Sequence, residues 1–260
     1  MLRYAIHRTF ANLGEEHRNL RDYTEITERL KNLAVPIERI GTAHNYPIHQ
    51  IRLTASTYTQ RRVLITGGMH GDEPAGVEAV LQFLERNNTA LLKKFSFTII
   101  PCINPYGYVH DTRETHNGID INRSFETDDI VEVMLVKQAL GQTQFSLAID
   151  FHEDYDATGF YLYEGKRDEK YIGPDLATAA KGVGPIDPED PGEDAPDLAE
   201  GVYKVANAWG TQGLAPYLLH FHSEHVIISE TPTVWQLEQR VALHLKILDT
   251  ALNATSEREV

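Results

Sequence analysis

Four stretches of this chain are apolar with almost no polar alternation: RRVLITGG at 61–68, FSFTIIPCI at 95–103, SLAIDFH at 146–152 and HVIISE at 225–230. Strands that read this way are covered on both faces, and a sheet covered on both faces needs a helical layer on each side. The intervening chain supplies one. DYTEITERLKNLA at 22–34 has the spacing of an amphipathic helix and stops before Pro36. Pro74 suits the first turn of a helix, which continues through AGVEAVLQFLER and stops at Asn87–Asn88. VEVMLVKQAL at 131–140 and VWQLEQRVALHLKILDTAL at 234–252 read as two more helices, and IERIGTA, IHQIRLT and FYLYE as further strands. This alternation predicts a three-layer α/β/α sandwich around a mixed, mostly parallel sheet. The segment 182–199, GVGPIDPEDPGEDAPDLA, is rich in proline, glycine and acid. Strand-like runs of one sheet lie on both sides of it, so it reads as a surface loop and residues 1–260 as a single domain.

Charge narrows the partners. There are 24 basic and 38 acidic residues, for a net charge of −14. A nucleic acid or an anionic membrane surface calls for basic patches, so neither is expected as a partner. The lone cysteine, Cys102, excludes an internal disulfide and sits in an apolar run as a small buried side chain. The start, MLRYAIHRTFANLGEEH, has no apolar core of signal-peptide length, and no apolar run approaches membrane-spanning length. The expected location is cytoplasmic.

Chemistry-bearing residues gather where the apolar strands end. VLIT runs into GGMHGDEPAG, FTIIPCI into Asn104-Pro105-Tyr106-Gly107, and LAIDF into His152. In open α/β sheets ligands collect at the carboxyl ends of strands. His70 and Glu73 therefore sit in a strand-to-helix loop, where two readings apply. Asp72 caps the helix and His70 is a hydrogen-bonded loop residue, or His70 and Glu73 are two metal ligands with His152 as the third. Two histidines and one glutamate form a zinc site that keeps a coordination position open. Residues 104–125, NPYGYVHDTRETHNGIDINRSF, add Arg113, Asn122 and Arg123. The guanidinium groups of Arg113 and Arg123 suit a developing oxyanion and a carboxylate, because the planar fork binds oxygen pairs. A polar surface loop has a similar composition.

HGDE at 70–73, NPYG, RETHNGIDINRSF and DFH at 150–152 together resemble the zinc carboxypeptidases, the M14-type metallopeptidases. The likeness runs from about residue 63 to 153 and extends more weakly to ISETP at 228–232; its closest flavour is the compact bacterial kind. The resemblance implies one zinc ion per chain, held by His70, Glu73 and His152. It implies that Arg113 polarises the scissile carbonyl and that Asn122 and Arg123 hold the terminal carboxylate of the substrate. Asp120 would orient a ligand histidine, and Glu230 would be the general base, at the tip of the HVIIS run. Tyr106 and Ser124 stand where many members carry Asp and Asn. The tyrosine that caps the substrate in many carboxypeptidases has two candidates, Tyr203 and Tyr217.

The activity this implies is hydrolysis of a peptide or amide bond next to a free carboxylate, on a small peptide substrate. The same H-x-x-E, NR and DxH pattern occurs in the related aspartoacylase and succinylglutamate desuccinylase group, so an N-acyl amino acid amidohydrolase is the alternative. A silent zinc-binding protein is a third reading, opposed by the presence of Arg113 and Glu230. Glu153 competes with Glu230 for the base. Neighbouring residues of a strand face opposite ways, which turns Glu153 away if His152 faces the metal. Asp150 fits either a site contact or a cap. His220, His222 and His225 read as solvated or core-satisfied rather than as a second metal site. No serine lies in a G-x-S-x-G context, so a serine hydrolase is not supported.

Overall fold

The structure is a computed structural model and describes residues 21–59, 61–188 and 195–257. The opening segment MLRYAIHRTFANLGEEH lies outside the described residues. The strands are β1 (Ile37–Ala43), β2 (Tyr46–Leu53), β3 (Arg62–Thr66), β4 (Ser96–Ile100), β5 (Leu147–Asp154), β6 (Tyr161–Lys166), β7 (Asp197–Ala199), β8 (Val202–Lys204) and β9 (His225–Pro232). They form one sheet in the order β1-β2-β4-β3-β5-β9-β6-β8-β7. The central strands β4, β3, β5 and β9 run parallel, and antiparallel pairings flank them on both sides. The mixed sheet is as expected, with its parallel part at the four apolar runs.

The helices are α1 (Tyr23–Lys31), α2 (Pro74–Glu85), α3 (Pro105–His110), α4 (Val131–Leu140), α5 (Gly173–Ala180), α6 (Leu214–Phe221) and α7 (Leu237–Glu257). Asp22 caps α1 by accepting from Thr24 N, and Pro74 opens α2. One face of the sheet packs on α1, α2, α5 and α7 through residues such as Ile65, Ile149, Phe151 and Ile227. The other face packs on α4 and α6 through Leu64, Ala148, Tyr163 and Ile228. Successive strand residues alternate between the two layers, so both faces are apolar and the strands read as unbroken hydrophobic runs. Among the described residues no helix is long and apolar enough to cross a membrane.

The short helices α3, α5 and α6 and the strands β7 and β8 were not foreseen. Each has ten residues or fewer, too short for periodicity to stand out. The segment 182–199 is less loop-like than its composition suggests. Residues 189–194 lie outside the described residues, but Ile186 bridges to Phe160 and the segment ends in β7. The buried Asp187 accepts from Thr158 N at 2.6 Å and Gly159 N at 2.8 Å.

The layer behind β5 and β9 contains a fully buried histidine. His244 of α7 places Nδ1 3.0 Å from Ser229 Oγ and Nε2 3.2 Å from Thr231 Oγ1. Its ring lies against Phe151 with centroids 4.6 Å apart. Burial, with the nearby positive charges of His152 and Arg240, pushes its pKa down to about 3. An unfolded histidine binds its proton near pH 6.5. Between those values the unfolded chain holds more protons than the folded one, so stability falls as the pH drops from 6.5 towards 3. Urea unfolding across this range should lose about 1 kcal/mol per pH unit through this group. That component should be missing from His244→Leu.

Candidate metal centre

Three loops and strand ends meet at the carboxyl edge of the central strands. β3 and β4 lie to one side of the crevice and β5 and β9 to the other, where the chain reverses its direction of travel through the sheet. After β3 the backbone turns at Gly68, whose φ is +61°, a region that favours glycine. Gly71 then passes so close to α3 that a Cβ on it would lie 1.8 Å from the carbonyl carbon of Gly107. The loop is thereby wedged between β3 and α3, with His70 and Glu73 buried.

The candidate ligand atoms of His70, Glu73 and His152 all lie within 4.8 Å of one another. Glu73 sits between the imidazoles, with Oε1 2.6 Å from His70 Nδ1 and Oε2 2.8 Å from His152 Nδ1. Burial alone would raise the Glu73 carboxyl, but the two histidines outweigh it and hold the group well below the ordinary carboxylate range. Each ring has a carboxylate at its far nitrogen. His152 Nε2 is 2.9 Å from Asp150 Oδ2, and Asp150 in turn accepts from Thr66 Oγ1 at 2.6 Å. His70 Nε2 is 3.4 Å from Asp120 Oδ1. Burial opposes the charge on His152, but Asp150 and Glu73, on either side of it, hold its pKa well above the ordinary histidine range. A carboxylate behind a histidine ring is the support that metal-binding histidines need. Once metal displaces their Nδ1 protons, two imidazole nitrogens and the Glu73 carboxylate would make a donor set that fits zinc.

Arg113 and Asp120 close the other side. Arg113 Nε donates to Asp120 Oδ2 at 3.0 Å, and Nη1 lies 3.1 Å from His70 Nδ1 and 3.6 Å from Glu73 Oε1. Burial opposes ionisation of Asp120, but His70 and Arg113 hold it well below its usual range. Asn104 anchors this segment: its Oδ1 accepts from Gly107 N at 2.9 Å and its Nδ2 donates to the Arg113 carbonyl at 3.2 Å. Tyr106 stacks on His110 with centroids 4.1 Å apart, and Ser124 donates back to Asp120 O at 2.8 Å. Asn122 and Arg123 lie on a short 3-10 turn (Ile121–Arg123). Asn122 Oδ1 accepts from Leu214 N at the start of α6, 2.9 Å away, and Arg123 is exposed, its Nη1 donating to Asn122 O.

The register of β5 and β9 pairs His152 with Glu230 and Glu153 with Thr231. Paired residues share a face, so Glu230 lies on the His152 side and Glu153 on the α2–α7 side. Glu153 accepts from Ala75 N at 2.6 Å and pairs with Arg240. Burial pushes its pKa up to about 7 against the pull of Arg240. It ties the tip of β5 to the first turn of α2, immediately beyond Glu73. Tyr161 is the tyrosine paired with Glu230, and its OH donates to Asp154 Oδ2 at 2.8 Å. Tyr203 is buried in a ring cluster with Tyr161 and Tyr163, and Tyr217 lies on α6 against Phe125. His222 donates to Thr143 O, and His225 donates to the buried Glu164 at 2.7 Å. Tyr161 was not singled out in the sequence, and Asp150, which the sequence left between a site contact and a cap, is the contact of His152. The signal for Asp150 was its i, i+2 spacing from His152, which puts both on one strand face.

The zinc carboxypeptidase family pattern matches residues 23–133. Over that segment, less than half of its length, the chain is similar to the zinc carboxypeptidases. "Probable carboxypeptidase 2" of Arthroderma benhamiae is 31% identical over 136 residues, which are 47% of this chain and 24% of that protein. Carboxypeptidase E of Caenorhabditis elegans is 30% identical over 118 residues, covering 37% and 25%. The chain thus spans about a quarter of the length of these curated relatives. Among solved structures, one from Shewanella amazonensis has a TM-score of 0.77 at 21% identity, covering 90% of this chain and 92% of that one. Carboxypeptidase A of Helicoverpa armigera has a TM-score of 0.69 at 16% identity, covering 92% and 74%. These likenesses show that the sandwich is the carboxypeptidase-type fold.

His152→Ala should purify with little zinc by elemental analysis. Asp150→Asn should keep the fold and weaken zinc binding about 10- to 100-fold in a chelator competition. Full zinc occupancy in His152→Ala would remove it from the ligand set.

Proposed function

We propose that the chain is a zinc-dependent metallocarboxypeptidase acting on small peptides, with residues 1–260 forming one catalytic domain and one zinc ion per chain. The observation that carries this is the convergence of His70, Glu73 and His152 within 4.8 Å, with Glu230 in register beside His152. Family kinship supports the zinc and the reaction class.

Zinc bound by His70, Glu73 and His152 would supply Lewis acidity and bring the pKa of a bound water from ~16 to near 7. Glu230 takes the proton of the attacking water and passes it to the leaving nitrogen. Arg113 stands against the ligand set with Nη1 directed at the centre, where it faces the oxygen that gains charge as the carbonyl becomes tetrahedral. Asp120 holds that guanidinium through Nε and faces His70 at the same time, so one carboxylate orients two groups. Arg123, on the exposed turn beside α6, offers its fork to the terminal carboxylate of the substrate, and Asn122 fixes that turn through Leu214 N.

Arg123→Ala should lower kcat/KM for free-acid substrates about 10- to 100-fold, the worth of a hydrogen bond to a charged group. The matching C-terminal amides should change little; an equal loss on both would assign Arg123 a structural role. Glu230→Gln should keep zinc and substrate binding while kcat falls about 10²- to 10⁴-fold. Near-normal turnover in that variant would remove Glu230 as the base. Parallel assays on C-terminal dipeptides and N-acyl amino acids test the substrate class, and preference for the latter would overturn the peptidase reading.

A further inference from the structure

The back of the sheet behind the metal side holds a polar strut that nothing in the packing of the core requires. Elsewhere this layer is apolar: Leu147, Ile149 and Ile227 meet Val241, Ile247 and Leu248 of α7. Only at the strand tips does it change. Ser229 and Thr231 flank Glu230 and point backwards, fully buried, and both meet His244. One turn earlier on the same face of α7, Arg240 pairs with Glu153, the residue after His152. The register sets Phe151 beside Ser229 and Glu153 beside Thr231, and the His244 ring covers Phe151.

An apolar residue would fill this space at no loss of stability, since a fully satisfied polar network and well-packed hydrophobic groups of the same volume are close to equivalent. What a hydrogen-bonded histidine adds is direction. A neutral imidazole has one donor and one acceptor nitrogen, so bridging two hydroxyls fixes its rotamer and fixes both of theirs. Those two hydroxyls belong to the residues on either side of Glu230. A strand tip held at both neighbours cannot twist, and the side chain between them keeps its aim on the opposite face. Resting on the reading of Glu230 as the base, we propose that His244 is a positioning residue for the reaction, acting through Ser229 and Thr231 to hold the Glu230 carboxylate at the metal side.

The test is an apolar replacement of the strut, Ser229→Ala with Thr231→Val and His244→Leu in one protein. The expected variant unfolds at a urea midpoint near that of the wild type and binds zinc within about threefold of it. Its kcat falls about 10- to 100-fold, the cost of a small misplacement of a reacting group, while KM stays within about twofold. In the metal-free protein, hydrogen exchange at the Glu230 and Thr231 amides rises and the amides of α7 stay protected. A folded, zinc-loaded triple variant with wild-type kcat, or with unchanged exchange at the β9 tip, overturns the proposal. If the triple variant does not fold, His244→Gln takes its place, since its amide reaches Thr231 and releases Ser229. It should exchange faster at Ser229 and lose several-fold in kcat, and wild-type values for both overturn the strut. Glu230→Gln is run alongside. Normal turnover there sinks the base reading alone, because the exchange arm judges the strut without metal or substrate.

Discussion

Every other feature of the site is arranged around one buried carboxylate. Glu73 lies between two imidazoles at 2.6 and 2.8 Å, out of contact with solvent. An ionised carboxylate in that position is costly unless cations or donors surround it. Two histidines alone meet that need only if their rings are held with Nδ1 aimed at the carboxylate. Asp150 and Asp120 hold them from behind, and Thr66 holds Asp150. The result is alternating charge: carboxylate, imidazole, carboxylate, imidazole, carboxylate. Each member is fixed by the next, and removing the central one would leave two rings with no common target.

Such a chain of contacts needs a rigid frame, and the frame is made by close backbone approach as much as by side chains. Gly71 lets the ligand loop lie directly on α3, and Asn104 at the head of α3 reaches the Arg113 carbonyl. Glu153 joins β5 to α2, one residue beyond His152 and two beyond Glu73. On the sheet, alternation separates roles at single-residue resolution. His152 and Glu230 face the crevice, whereas Glu153, Ser229 and Thr231 face α2 and α7.

The sequence by itself determined the sandwich, because strands buried on both faces cannot avoid reading as unbroken apolar runs. It also determined the candidate ligands, since HGDE, RETHNGIDINR and DFH have the residue types and order that the zinc carboxypeptidases share. It turned Glu153 away from the crevice from alternation alone, and the register agrees. It did not contain the short helices α3, α5 and α6, whose few turns carry no clear period. It did not show Asp150 as the partner of His152, because a carboxylate two residues before a histidine serves equally as a cap until strand geometry puts both on one face. The pairing of His152 with Glu230 joins residues 78 apart in the chain, and only the order of strands in the sheet brings them side by side. His244 has no motif at all. Its place behind Glu230 follows from how α7 crosses β5 and β9, a matter of packing between elements, and no local pattern of residues encodes it.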